Sequence, residues 1–328
     1  MTTPIQKSQI RNSLDLFSIE RFQKLLRTSI EEIEAIASKA GSYYSPFNAP
    51  APRRWFPKET RIKKPRKIDN PIEPLKGLQR KILSNLLETI YVPSYMLGGI
   101  KGRTLRENIE IHASSKVLVT LDIKSFFRSV TSQQVFRIWR KSLNCSEKTA
   151  DLLTKLTTFE GHLPQGAPTS TYLANLVLAS VDKGILDACK RQGVTFSTWV
   201  DDLAFSGSNA ANVIDAAVLA LKEVGLAVSH SKLKVMRPGA RKQLNGLVLS
   251  RTLNLPLAYR KGIRSGIFKL RTGKVCKAIL HTYIRSLNGR IAYLSSVNKK
   301  LGDGLKLRIP VIVSSDSGRN VSTDSGAS

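Results

Sequence analysis

Asp201 and Asp202 stand side by side in Thr198-Trp199-Val200-Asp201-Asp202-Leu203-Ala204-Phe205-Ser206, with apolar, strand-like residues on both flanks. A bare Asp-Asp pair usually marks a solvated turn. Here the flanks want burial, so the pair sits at the tip of a hairpin whose arms are inside the protein. Two carboxylates held against buried strands repel each other and lose hydration, and a divalent cation relieves both costs. A third carboxylate, Asp122, closes the apolar run Val117-Leu118-Val119-Thr120-Leu121 and precedes Ile123, Phe126 and Phe127. Alone it reads more readily as a helix N-cap. Together, three Asp on two apolar strands can hold two Mg²⁺, the arrangement used for in-line nucleotidyl transfer. Magnesium takes a few carboxylates and completes its shell with substrate phosphates, which a nucleoside triphosphate supplies.

The elements around these residues alternate. Residues 1–45 have apolar positions near the helical period, from Ile19 and Phe22 to Ile30 and Ile33. Pro46 to Pro74 holds seven prolines, and Arg53 to Lys67 holds eight basic residues against one acid. That density of proline excludes a long helix and predicts extended strands or loops. Helical patterns follow over Leu75–Ile90, Gln133–Leu143, Lys148–Leu156 and Ala210–Val224, and Pro168–Cys189 reads as one long helix. Strand patterns cover Val117–Ile123, the two arms within Thr195–Ser206, and Leu244–Ser250. Helices mixed with a central hairpin predict an α+β fold rather than a doubly wound sheet. The chain contains no G-x-G-x-x-G and no Walker loop, which weighs against dinucleotide and P-loop folds.

The 328 residues carry 52 Lys+Arg against 24 Asp+Glu, a formal +28, on a body that is 41% hydrophobic. A folded polycation of this kind meets a polyanion, with nucleic acid and anionic membrane the main candidates. No apolar run approaches the ~18 residues that a bilayer crossing requires. The N-terminus has no signal-like apolar core, and three scattered cysteines make neither a disulfide framework nor a zinc cluster. A cytoplasmic protein facing nucleic acid, with no membrane partner, is expected.

Three segments, in order and spacing, resemble the palm motifs of reverse transcriptases. They are Leu121-Asp122-Ile123-Lys124-Ser125-Phe126-Phe127, Leu163-Pro164-Gln165-Gly166-Ala167-Pro168-Thr169-Ser170 and Trp199-Val200-Asp201-Asp202. The resemblance extends over roughly residues 50–310, from a fingers segment at Lys63–Pro71 to a basic helical thumb. It is nearest to the bacterial retron enzymes, whose Asn-Ala-x-x-His element is matched by Asn108-Ile109-Glu110-Ile111-His112. Their Val-Thr-Gly element is matched by Leu244-Asn245-Gly246. A right-hand polymerase is thereby implied. Its parts would be an N-terminal helical extension (1–45), fingers and palm (46–245), a basic thumb (246–313) and a disordered tail (314–328).

The resemblance also implies roles. Asp122, Asp201 and Asp202 would be the catalytic, metal-binding triad, with the Ile123 carbonyl as an added ligand for the two Mg²⁺. Phe127 would press on the sugar 2′ position and reject ribonucleotides. Gln165 and Gly166 would line the incoming deoxynucleoside triphosphate, Arg66 and Lys64 would clamp its phosphates, and Lys232 would lie near the leaving pyrophosphate. Trp199, where relatives have Tyr, would touch the primer end. Asn108, His112, Leu244, Asn245 and Gly246 would contact RNA or primer. The implied activity is RNA-directed DNA synthesis on a cognate structured noncoding RNA, primed from a 2′-hydroxyl, giving branched RNA–DNA in antiphage defence. A defence effector protein would be a further partner. Two alternatives stand beside it: another defence or group II intron-like reverse transcriptase, and a noncatalytic basic RNA-binding scaffold.

Overall fold

The computed structural model describes residues 14, 16, 18–50, 65–249 and 252–306. These fall into two compact units that divide between Ala240 and Arg241. The fold is mixed α+β, and its named strands pair antiparallel.

The first unit opens with α1 (Ile19–Leu26) and α2 (Ile30–Ser38), started by Ser18 and Ser29, whose hydroxyls accept the Arg21 and Glu32 amides. Phe22, Leu26, Ile33 and Ile36 enter the same core as the rest of the unit, so these helices are built into it. A two-stranded sheet follows, β1 (Tyr44–Ala49) on β2 (Arg66–Pro71). Then come α3 (Leu75–Asn85), α4 (Leu105–Glu110), β3 (Leu118–Asp122), the single turn α5 (Phe126–Ser129), α6 (Ser132–Arg137) and α7 (Glu147–Thr157). The chain continues through α8 (Ser170–Ala179), α9 (Asp182–Gln192), β4 (Thr195–Trp199), β5 (Asp202–Ser206), α10 (Ile214–Glu223) and β6 (Lys234–Met236).

The expected single helix over Pro168–Cys189 is two helices. Ser180 bonds back to the Val177 carbonyl, Val181 leaves helical geometry, and Asp182 turns inward to accept the Tyr95 hydroxyl at 2.5 Å. A side chain that satisfies the local backbone competes with helix continuation, and the part-buried Tyr–Asp bond favours the break. The pattern over Gln133–Leu143 likewise ends early, passing from α6 into one π-helical turn at Ile138–Ser142.

The central sheet has the order β4-β5-β3-β6. Its register puts Val119, Leu121, Leu203 and Phe205 on one face, all at most 1% exposed. Phe196 stacks on Phe205 from β4 with ring centroids 4.9 Å apart. Because strand side chains alternate, the residues between them, including Asp122 and Asp202, must point the other way.

The second unit consists of the hairpin β7 (Lys242–Leu244) and β8 (Leu247–Leu249), then α11 (Leu257–Arg271), α12 (Leu280–Val297) and α13 (Lys299–Lys306). Asn245 and Gly246 both have positive φ, 46° and 83°, as a two-residue type I′ hairpin turn requires. The expected single strand around Gly246 is therefore a hairpin, and the unit begins before it. Ser250, the end of that expected strand, and the whole 314–328 tail lie outside the described residues. Among the described residues no helix is long and apolar enough to cross a membrane.

Candidate active site

The hairpin β4–β5 and the end of β3 bring the three aspartates together. Asp122 is the register partner of Asp202, and Trp199 is opposite Asp202 from the other side. The Ile123 amide donates to the Asp201 carbonyl at 2.9 Å, so the tip of the hairpin is tied to the strand that carries Asp122. Val200, inside the tip, has φ 59°, a left-handed conformation that is strained for a β-branched residue. Such a residue persists only where its surroundings enforce it.

Charge is unevenly balanced here. Burial pushes the Asp201 carboxyl above the usual carboxylate range and the neighbouring Asp122 pushes it further, while Lys232 and Arg66 act against both. The Lys232 ammonium donates to Asp122 Oδ2 at 2.6 Å. It reaches there because the Ser229 amide bonds the Asp122 carbonyl and the Lys124 amide bonds the Ala227 carbonyl, which lays segment 227–229 along the end of β3. Among the described residues no three acid, histidine or cysteine side chains are grouped so as to hold a metal ion by themselves.

Strand β2 meets the Gln165–Gly166 turn directly. The Asp69 amide donates to the Gln165 carbonyl at 2.8 Å. Gly166 has φ 127°, and a Cβ there would lie 2.8 Å from Ile68 Cγ2, so the close approach and the backbone angle both require glycine. Arg66, at the start of β2, is exposed and near enough to Asp201 to act on its charge. Lys64, its expected companion, lies outside the described residues. Of the two adjacent phenylalanines, Phe126 is 3% exposed and belongs to the core, whereas Phe127 is half-buried beside it.

Beneath the tip lies a segment that the motifs did not mark. The Thr198 amide donates to the Tyr95 carbonyl at 2.8 Å, and the Leu97 amide donates to the Thr198 carbonyl at 3.0 Å. A Cβ on Gly98 would lie 2.3 Å from the Val200 nitrogen and 2.7 Å from the Trp199 carbonyl carbon. Asn175 of α8 bonds the Gly98 carbonyl at 2.9 Å and holds this seat in place. The paired glycines Gly98-Gly99 between Leu97 and Ile100 were the available signal, since glycine in an apolar run marks a close backbone approach. Gly98→Ala should force the tip outward and cost about 1–3 kcal/mol of overpacking. Thermal melting and primer extension should both fall, whereas Gly41→Ala, where a Cβ meets nothing within 4 Å, should change neither.

Comparison with known proteins decides what this assembly belongs to. The reverse transcriptase (RNA-dependent DNA polymerase) family matches residues 56–261, well over half of the chain. The chain belongs to the reverse transcriptase family. The chain is 26% identical to the retron Ec86 reverse transcriptase of Escherichia coli, over 87% of this chain and 91% of that one. It is 29% identical to the retron Mx65 reverse transcriptase of Myxococcus xanthus, over 74% of this chain and 61% of the relative. For the Mx162 enzyme of the same organism the identity is 30%, over 64% of this chain and 50% of the relative. Among solved structures, telomerase from Candida albicans in complex with a telomeric RNA fragment is similar at TM-score 0.46 and 11% identity. That likeness spans 87% of this chain and 59% of telomerase. The retron resemblance seen in the motifs is borne out by these relatives.

Two expectations about this reverse transcriptase need correction. Asn108 and His112 were expected to read RNA, yet they are 1% and 0% exposed and bond to the central sheet. A side chain closed off from solvent cannot hydrogen-bond an incoming base. Leu244, expected to contact RNA or primer, is 2% exposed. Asn245 and Gly246 form the turn of the β7–β8 hairpin. Trp199 is half-buried at the tip of the β4–β5 hairpin, next in chain to the strained Val200.

Proposed function

We propose that this reverse transcriptase is a right-hand RNA-directed DNA polymerase that copies a cognate structured noncoding RNA into single-stranded DNA. The observation that carries the polymerase chemistry is the convergence of Asp122, Asp201 and Asp202 at one end of an antiparallel sheet. The residues fit a cation: burial and Asp122 disfavour the ionised Asp201 carboxyl, a cost that a bound cation would relieve, and the Lys232 ammonium already sits on Asp122 Oδ2. An open set of carboxylates suits Mg²⁺, whose remaining ligands come from substrate phosphates. When bound, two Mg²⁺ supply Lewis acidity toward the attacking hydroxyl and neutralise charge on the departing pyrophosphate.

The chain's own residues do the positioning. Asp122, Asp201 and Asp202, with the Ile123 carbonyl, form the acceptor set. Arg66 presents a guanidinium fork for triphosphate oxygens, with Lys64 as its companion. Gln165 and Gly166 form the floor under the deoxynucleotide, and Phe127 stands at its sugar. Lys232, paired with Asp122 here, would lie within reach of the leaving pyrophosphate. The formal +28 provides backbone attraction for RNA and for the RNA–DNA product.

The likeness to retron enzymes supports the finer reading: priming from a 2′-hydroxyl, a branched RNA–DNA product, cytoplasmic location and service in antiphage defence with an effector protein. The test is recovery of nucleic acid with the purified protein from cells carrying the gene and its flanking DNA. One discrete small RNA should be joined covalently to DNA at a single branch nucleotide, in a linkage that survives denaturation and yields to debranching enzyme. Linear, conventionally primed DNA alone would assign the chain to another branch of the family.

A further inference from the structure

We infer that His112 is a positioning residue that locks the register of the catalytic hairpin, rather than a contact for RNA. The inference rests on the polymerase reading above. His112 Nδ1 lies 2.6 Å from Ser206 Oγ on β5, and Nε2 lies 2.8 Å from Ser197 Oγ on β4. One imidazole therefore bridges both arms of the hairpin that carries Trp199, Asp201 and Asp202. The register makes the bridge diagonal, because Ser197 is opposite Ala204 and Thr195 is opposite Ser206. Diagonal cross-strand neighbours are ~7–8 Å apart, a span that a doubly bonded imidazole fits. Ser197, Ser206, Trp199 and Asp202 all lie on one face by the same register. A slip of β5 by one residue would turn Ser206 to the opposite face and break the bridge, and the same slip would turn Asp202 away from Asp122.

The bonds around the ring run in a single direction. Ser115 donates to Ser206 Oγ at 3.0 Å, and Ser197 donates to Asn108 Oδ1 at 2.7 Å. Ser197 has thus spent its proton on Asn108 and must accept from Nε2–H, so Nδ1 carries no proton and accepts from Ser206. Asn108 fixes the tautomer of His112, which explains why the two residues, one on α4 and the other in the turn that follows it, work together. Burial lowers the His112 pKa to about 4, so the neutral ring that this chain of bonds requires is the form present at neutral pH. Every member is buried or nearly so, and a satisfied buried network specifies one arrangement where an apolar patch would tolerate several.

The experiment compares His112→Leu, His112→Gln and Ser206→Ala with the parent on an ordinary annealed DNA primer and RNA template. Single-turnover extension is normalised to active sites, and duplex affinity and melting temperature are measured alongside. His112→Leu should lower the rate constant per active site about tenfold, the scale of losing a buried oriented hydrogen bond. Duplex affinity should stay within about twofold. Glutamine offers one donor and one acceptor, so His112→Gln should recover much of the rate. Ser206→Ala, a smaller lesion, should show the same sense of change if His112→Leu does not fold. A lowered melting temperature with an unchanged rate per active site would reduce the network to general stability. Lost RNA affinity with an unchanged rate would restore the RNA-reading role. Failure of the parent itself to extend the primer would instead overturn the polymerase reading.

Discussion

Asp201→Ala and Asp122→Ala are each expected to abolish primer extension almost completely. The lost cation ligand is worth several kcal/mol of charge stabilisation, which at about 1.36 kcal/mol per decade is a thousandfold or more in rate. Folding should survive. In the folded protein the Asp201 carboxyl is held above its ordinary range by burial and by Asp122. An acid whose folded pKa is raised destabilises the fold as pH climbs past its unfolded value, so the native state carries a penalty near neutral pH that is absent in acid. Asp201→Asn should therefore melt no lower than the parent in metal-free buffer near neutral pH. At pH values below the ordinary carboxylate range the comparison should show no gain, because both states then hold a neutral group. A folded Asp201 variant that extends primers at near-parental rate would remove the triad from the mechanism.

Phe127→Ala is expected to open the enzyme to ribonucleotides. Ser125, with φ 50°, leads into the single turn Phe126–Ser129, and this turn sends its first two side chains different ways. Phe126 enters the core at 3% exposure, whereas Phe127 keeps part of its ring accessible, with the two centroids 6.0 Å apart. A 2′-hydroxyl forced against a ring costs about 1–3 kcal/mol, like any overpacked contact. Removing the ring should raise ribonucleotide over deoxyribonucleotide incorporation about ten- to hundredfold, measured by single-nucleotide extension. Phe126→Ala should instead lose ~3–5 kcal/mol of stability, as core Phe truncations do, with the sugar ratio unchanged. The opposite pattern would exchange the two roles.

The reverse transcriptase motifs were legible because each is local. Leu121-Asp122-Ile123, the Leu163–Ser170 turn and Trp199-Val200-Asp201-Asp202 each set a polar group inside an apolar run, and such a group is costly unless it serves chemistry. Helix caps are local too, since Ser18 and Ser29 act within three residues of their partners, although the sequence reading did not mark them. The Asn245-Gly246 turn was readable in principle. It was hidden because each of its strands is three residues long, too short to show alternation.

What lay beyond the sequence depends on partners far apart in the chain. Asn108 and His112 look like polar residues free to meet RNA until the fold sets Ser197 and Ser206 against them, 85 and 94 residues from His112. Lys232 reaches Asp122 across 110 positions, and nothing local to either residue announces the ion pair. Gly98 carries meaning only because the Val200 nitrogen occupies the space where its Cβ would be. The break between α8 and α9 likewise follows from Tyr95, 87 residues away, drawing in Asp182. The sequence by itself determined which groups this polymerase has for its chemistry, because a carboxylate in an apolar strand declares itself through its immediate neighbours. The tertiary structure alone decided which residues hold those groups in place. Orientation comes from contacts between distant segments, and these exist only once the entropy of closing the intervening loops has been overcome.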